Sequence, residues 1–132
     1  MVQAPLQQIF VVDDDEDDQY IICQVLAHHT PLASIEVLSD GEALLFALSQ
    51  ASTLPHLVLL DLNMPRMGGL EVLQRIRSNR TYAALPIIVL TTSDSVDDRA
   101  QAQALNADGY LVKPPTIPEL SQLMLAVKQQ WL

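Results

Sequence analysis

Four places in the chain carry side chains suited to chemistry. Six consecutive acids, residues 13–18, follow the apolar run IFVV at 9–12. A single acid, Asp61, ends the run HLVLLD at 56–61. Two threonines and a serine, Thr91, Thr92 and Ser93, end the run beginning PIIVL at 86–90. A lysine, Lys113, follows GYLV at 109–112. Brought together, these offer three carboxylates (Asp13, Asp14 and Asp61), a hydroxyl and one ammonium. Three ionised carboxylates cannot share a site without a counter-charge. A hard divalent cation such as Mg2+, which takes oxygen ligands, supplies one. The remaining acids, residues 15–18, have a plainer reading as the start of a helix, where negative charge suits the positive end of the dipole. A calcium loop is excluded. Its sixth and twelfth positions call for Gly and Glu, and this chain has Asp18 and Gln24 there.

Elements of secondary structure must bring these groups together. The apolar runs IFVV (9–12), SIEVL (34–38), HLVLLD (56–61), PIIVLTT (86–92) and GYLV (109–112) read as strands. Three of them are near-continuous, the pattern of strands buried on both faces. Helical patterns lie between and after them. Residues 17–28 carry Ile21, Ile22, Val25 and Leu26, and residues 41–50 carry Leu44, Leu45 and Leu48. Residues 69–78 carry Leu70, Leu73 and Ile76, and residues 117–130 carry Leu120, Leu123, Met124 and Val127, with Trp131 in register. The Ala-rich segment 95–106 is weaker, with Val96, Ala100 and Leu105 as its apolar side. Asp40 precedes the second helix, and Ser95-x-x-Asp98 and Thr116-x-x-Glu119 resemble capping boxes. The order βαβαβαβαβα with right-handed crossovers gives a parallel sheet covered on both faces. Functional groups in such sheets gather at the carboxyl ends of the strands, where Asp13, Asp14, Asp61, Thr91 and Lys113 stand.

Bulk properties narrow the function. The chain has 132 residues, the size of one domain, and 49% of them are hydrophobic. The net charge of −9, with seven basic residues, disfavours nucleic acid and anionic membranes and suits a basic or metal-bearing partner. One cysteine, Cys23, allows no internal disulfide and reads as a small buried residue of the first helix. No apolar run approaches a membrane span, and MVQAPLQQ lacks the features of a secretory signal, so the expected location is the cytoplasm. His28, His29 and His56 lack metal-ligand spacing. Gly68-Gly69 reads as a turn before a helix.

The residues VVDD at 11–14, DLNMPRMGG at 61–69, VLTTS at 89–93 and YLVKPP at 110–115 together resemble a response-regulator receiver domain of the chemotaxis-regulator type. The tandem acids and the segment SNRTYAALPIIVLTTS resemble the stand-alone receivers found beside bacterial sensor kinases, phytochromes included. The resemblance spans essentially the whole chain. It implies a doubly wound, flavodoxin-like (βα)5 fold with strand order 2-1-3-4-5, forming a single domain over 1–132 (core about 8–130) without an output domain. It implies that Asp61 accepts a phosphoryl group from a histidine kinase or phosphotransfer protein. Asp13, Asp14, Asp61 and the backbone carbonyl of Asn63 would hold Mg2+, with Mn2+ able to substitute. Lys113 would hold the phosphoryl oxygens and Thr91 would donate its hydroxyl to them. Tyr110 matches the aromatic switch position, beside the alternative of an ordinary edge tyrosine. The Lys113–Pro114 bond would be cis, with Pro115 a departure from the commoner apolar residue. Asn63 and Ser93 occupy the positions on which the phosphoryl lifetime partly depends.

Such a module assists its own phosphorylation and dephosphorylation, turns over no external substrate, and signals through a downstream partner protein. A homodimer through the fourth helix, fifth strand and fifth helix is left open. Two rival readings share the same residues. A phosphorylation-independent adaptor would be expected to have lost Asp61, Thr91 or Lys113. A Mg2+-dependent phosphatase would need a general acid two residues beyond Asp61.

Overall fold

The computed structural model describes residues 7–132; MVQAPL, part of the stretch read for a secretory signal, lies outside the described residues. The chain runs β1 (Gln8–Val12), α1 (Glu16–His29), β2 (Ser34–Leu38), α2 (Gly41–Gln50), β3 (Leu57–Leu60), α3 (Gly69–Arg77), β4 (Ile87–Thr91), α4 (Val96–Ala104), β5 (Gly109–Val112) and α5 (Ile117–Trp131). A short 3-10 turn, Arg80–Tyr82, links α3 to β4. The five strands are parallel in the order β2-β1-β3-β4-β5. The flavodoxin-like doubly wound fold expected from the sequence is the fold of the protein.

The continuous apolar runs are explained by the two helical layers. Phe10, Val12, Val58, Leu60, Ile87 and Val89 face α2 and α3, where Leu44, Leu48, Val72 and Ile76 meet them. Their sequence neighbours Ile9, Val11, Leu57, Leu59, Ile88 and Leu90 face α1 and α5, against Ile22, Leu26, Leu120 and Met124. Side chains alternate along a strand, so a strand sandwiched between helices must be apolar at every position. Each fully buried Leu or Ile contributes about 1.5–3 kcal/mol. The edge strands β2 and β5 are partly exposed, unlike the three central ones.

Helix starts follow the caps. Asp15 caps α1, accepting the Asp18 backbone N–H, and Glu16, Asp17 and Asp18 form its acidic first turn. Asp40 caps α2 through the Ala43 N–H at 2.7 Å. Ser95 and Thr116 cap α4 and α5, each at 3.3 Å. The box at Ser95 is only half a box, because the Asp98 carboxylate takes the Ser93 hydroxyl instead. Helix α4 also departs from expectation. Val96 and Ala100 are exposed, and Ala102 is its buried residue. The Ser95 cap makes Val96 the first helical residue, projecting off the end of the helix, 82% exposed. Trp131 packs against the layer of α1 and α5, as expected, and Cys23 does so while only partly buried rather than buried. His29 is half-buried and ties α1 to the Ser121 hydroxyl and carbonyl of α5.

The register of the sheet brings the candidate residues side by side. Val12 pairs with Leu60, so Asp13 and Asp61 leave neighbouring strands at the same level. The Asp61 N–H donates to the Val12 carbonyl at 2.9 Å, and the Asp13 N–H donates to the Leu38 carbonyl at 3.0 Å. On the far side the Lys113 N–H donates to the Thr91 carbonyl at 2.7 Å. Gly69 then draws α3 against the end of β3. A Cβ there would collide with the carbonyl oxygen of Asp61 and lie 2.7 Å from Leu62 Cα, so only glycine permits the approach.

Candidate phosphoryl and metal site

Asp13 and Asp61 are buried although both are acids, with 1% and 5% of their surface exposed. Asp13 Oδ1 accepts the Asp15 N–H at 3.0 Å, and its Oδ2 accepts from Lys113 Nζ at 2.6 Å. The side-chain amide of Gln19 donates to the Asp13 carbonyl and to the Ser39 hydroxyl, pinning the β1–α1 loop. Asp61 Oδ1 accepts the N–H of Asn63, itself exposed, at 3.3 Å, and its Oδ2 lies 3.7 Å from Lys113 Nζ. Asp14 is exposed at the open side. Carboxylate oxygens of Asp13, Asp14 and Asp61 all lie within 4.8 Å of one another.

The charge balance is uneven. Lys113 reaches Asp13 at 2.6 Å and Asp18 at 2.7 Å, with Asp61 farther off. Burial opposes the charge on Lys113, but hydrogen bonds to Asp13 and Asp18 and the charges of Asp13 and Asp61 outweigh it and hold its pKa above the ordinary lysine range. Burial dominates at Asp13 and raises its pKa; Lys113 and the Asp15 N–H oppose the rise, and the charge on Asp61 adds to it. Three clustered carboxylates, two of them buried, form an all-oxygen donor set that fits a hard divalent cation. Asp13, Asp14 and Asp61 are the residues that would hold it.

Thr91 is fully buried at the end of β4 and accepts the Ser93 N–H at 3.3 Å, whereas Thr92 is exposed. Tyr110 is half-buried on the edge strand β5. Its hydroxyl donates to the Ser93 carbonyl at 2.9 Å, and the Arg99 guanidinium stacks 4.6 Å over its ring. It stands on the edge strand, a position that fits both of its readings, and it is joined to the loop that follows Thr91. The Lys113–Pro114 bond is trans, since no peptide bond among the described residues is cis. This corrects the expectation of a cis bond. An X–Pro amide separates its isomers by only about 0.5–1 kcal/mol, so local packing sets the outcome.

Sequence reasoning missed the partnership of Asp18 with Lys113. Once Asp15 is known to be the cap, Asp18 falls at the third helical position, where side chains lean back toward the helix start. The cap was the signal, and the run of identical acids hid it. The contact of Arg99 with Tyr110 was missed as well, since it depends on how α4 sits on β5.

The family model of the response regulator receiver domain matches residues 9–125, and the chain belongs to this family. It is 34% identical over 128 residues to FilR2 of Methanothrix harundinacea, a probable methanogenesis regulatory protein, covering 94% of this chain and 83% of FilR2. It is 33% identical over 133 residues to the response regulator Rcp1 of Synechocystis, covering 97% and 90%. The solved structure of Rcp1 in its Mn2+-bound form superposes with a TM-score of 0.86. The phosphorylated cyanobacterial phytochrome response regulator RcpA superposes with a TM-score of 0.90 at 31% identity, covering 96% of this chain and 94% of RcpA. No helix among the described residues is long and apolar enough to cross a membrane.

Proposed function

We propose that the chain is the phosphoryl-accepting response regulator of a two-component relay. Asp61 is the acceptor, and a histidine kinase or phosphotransfer protein is the donor. One observation carries the reading. Asp61 is a buried carboxylate at the end of a central strand, 3.7 Å from the only lysine of the site and within 4.8 Å of two further acids. In the reaction a carboxylate oxygen of Asp61 forms a bond to phosphorus, the P–N bond of the donor phosphohistidine breaks, and the electron pair leaves with the imidazole. Lys113 offers a positive charge to the phosphoryl oxygens, and Thr91 offers a hydroxyl. A Mg2+ ion held by Asp13, Asp14, Asp61 and the Asn63 carbonyl would supply the remaining neutralisation, and Mn2+ has the same oxygen preference.

The new charge on Asp61 favours a state in which Thr91 turns toward it. The loop after Thr91 is tied to Tyr110 through Ser93, so that turn reaches the surface of α4 and β5, which makes Tyr110 the switch residue. A partner protein reads the altered surface. Residues 1–132 act as one receiver in the cytoplasm, and the net charge of −9 turns the module toward proteins rather than nucleic acid.

The test is intact mass after incubation with acetyl phosphate and Mg2+. The expected result is one phosphate increment that requires Mg2+ and is absent from Asp61→Asn. A folded wild-type protein that gains no increment under any condition would overturn the reading.

A further inference from the structure

Asp18 lies outside the trio of carboxylates, yet it holds the lysine that serves them. Lys113 has three N–H donors. Two are committed, to Asp13 at 2.6 Å and Asp18 at 2.7 Å, and Asp61 at 3.7 Å is beyond hydrogen-bond reach. Asp13 and Asp61 both belong to the oxygen set that fits a cation, so a bound cation competes with Lys113 for their oxygens. Asp18 is the one carboxylate around Lys113 with no share in that set.

Its position is also firm. Its backbone N–H is bonded to the Asp15 cap at 3.0 Å, so the carboxylate is carried on the first turn of α1 rather than on a loop. Asp18 and Lys113 meet at the wall of a cavity of about 170 Å3 also lined by Ile21, Pro114 and Ile117. The Lys113 side chain, lying against this largely apolar lining, is 11% exposed.

We infer that Asp18 is a positioning residue: it anchors the Lys113 ammonium from outside the cation set and keeps it aimed at Asp61 when Asp13 turns to a cation. The inference rests on the phosphoryl-acceptor reading for its effect on rate, but not for its effect on Lys113 itself.

Three variants test it. Asp18→Asn removes the anchoring charge, Asp18→Glu keeps it, and Asp17→Asn removes the same charge from an exposed neighbour. The first readout is the NMR signal of the lysine ammonium in the metal-free protein. The chain has two lysines, Lys113 and the exposed Lys128, so a slowly exchanging ammonium signal belongs to Lys113. The second is the rate of Mg2+-dependent phosphorylation by acetyl phosphate.

The signal is expected to broaden or vanish in Asp18→Asn and to persist in the other two. Phosphorylation is expected to slow about tenfold in Asp18→Asn, the scale of a misplaced reacting group, with Asp17→Asn near wild type and Asp18→Glu recovering most of the loss. A folded Asp18→Asn that matches Asp17→Asn in either readout overturns the inference. If the wild type itself takes no phosphate, the acceptor reading fails on its own, and the ammonium signal alone decides whether Asp18 sets the place of Lys113.

Discussion

The two ends of the sheet handle charge in opposite ways. At the amino end, Arg77 of α3 is nearly buried and fully matched. It donates to the Tyr82 carbonyl at 2.8 Å, the Asn106 carbonyl at 3.1 Å and Asp108 at 3.0 Å. Asp108 in turn accepts the Ile87 N–H at 2.8 Å, locking the entry to β4. Asn106 adopts the left-handed backbone this turn needs, which asparagine tolerates better than most residues. At the carboxyl end, one ammonium faces Asp13, Asp18 and Asp61, with Asp14 beside them. The first arrangement is complete and holds the fold. The second sets one ammonium among four carboxylates. Paired charge and excess acid therefore stand at opposite ends of the same strands.

The largest expected effect lies in the backbone at the carboxyl end. Gly69→Ala should cost about 4 kcal/mol, because the new methyl group meets the Asp61 carbonyl and the chain cannot retreat from it. Denaturant unfolding measures this, and a loss under about 1 kcal/mol would mean that α3 slides freely on β3.

Arg77→Ala comes next, at about 3 kcal/mol by the same measurement. The loss is smaller than for a fully sealed pair because Asp108 keeps a third of its side-chain surface in water. If this variant were as stable as wild type, the amino end would not be the structural end, and the comparison would break.

Asp13→Asn should behave in the opposite sense. The raised pKa of Asp13 means that its contribution to stability is present below its unfolded value, near about pH 4, and is lost as pH rises through the folded value. Lys113, also raised, contributes stability that persists to strongly alkaline pH and is flat across this window. In metal-free buffer the variant should therefore gain on wild type as pH rises above about 4. Excess Mg2+ should raise the thermal midpoint of wild type and leave the variant nearly unmoved. A variant that loses ground as pH rises would show that the acid cluster is stabilising without a cation.

The smallest effect sharpens the contrast. Arg75→Ala removes a 2.9 Å pair with Glu71 and should change stability by less than about 0.5 kcal/mol, because both side chains are about half exposed. That pair is shorter than the Arg77–Asp108 pair. Burial, more than distance, separates them.

The sequence made the frame legible for a physical reason. A strand covered on both faces has no freedom in composition, so residues 9–12, 57–60 and 87–90 announce themselves. The acids that interrupt those runs are then visible as exceptions, which is how Asp13 and Asp61 were found. Side-chain partners were not legible, because they depend on the phase of a helix or on contacts between distant segments. The cap at Asp15 decides that Asp18 meets Lys113. The Asp98 carboxylate goes to Ser93 rather than completing its own box. Arg77 joins α3 to the turn before β5 across 31 residues. The 3-10 turn at Arg80–Tyr82 carries no apolar period and left no trace in the pattern.

The link between Lys113 and Asp13 also spans time. The two residues are 100 positions apart, and Lys113 and Asp18 are 95 apart. On a ribosome the acids emerge early and their ammonium arrives late, after four of the five strands. Until the last strand pairs, a growing chain has the clustered acids without the ammonium that faces them. The site is therefore completed only in a chain that has been made and folded through β5.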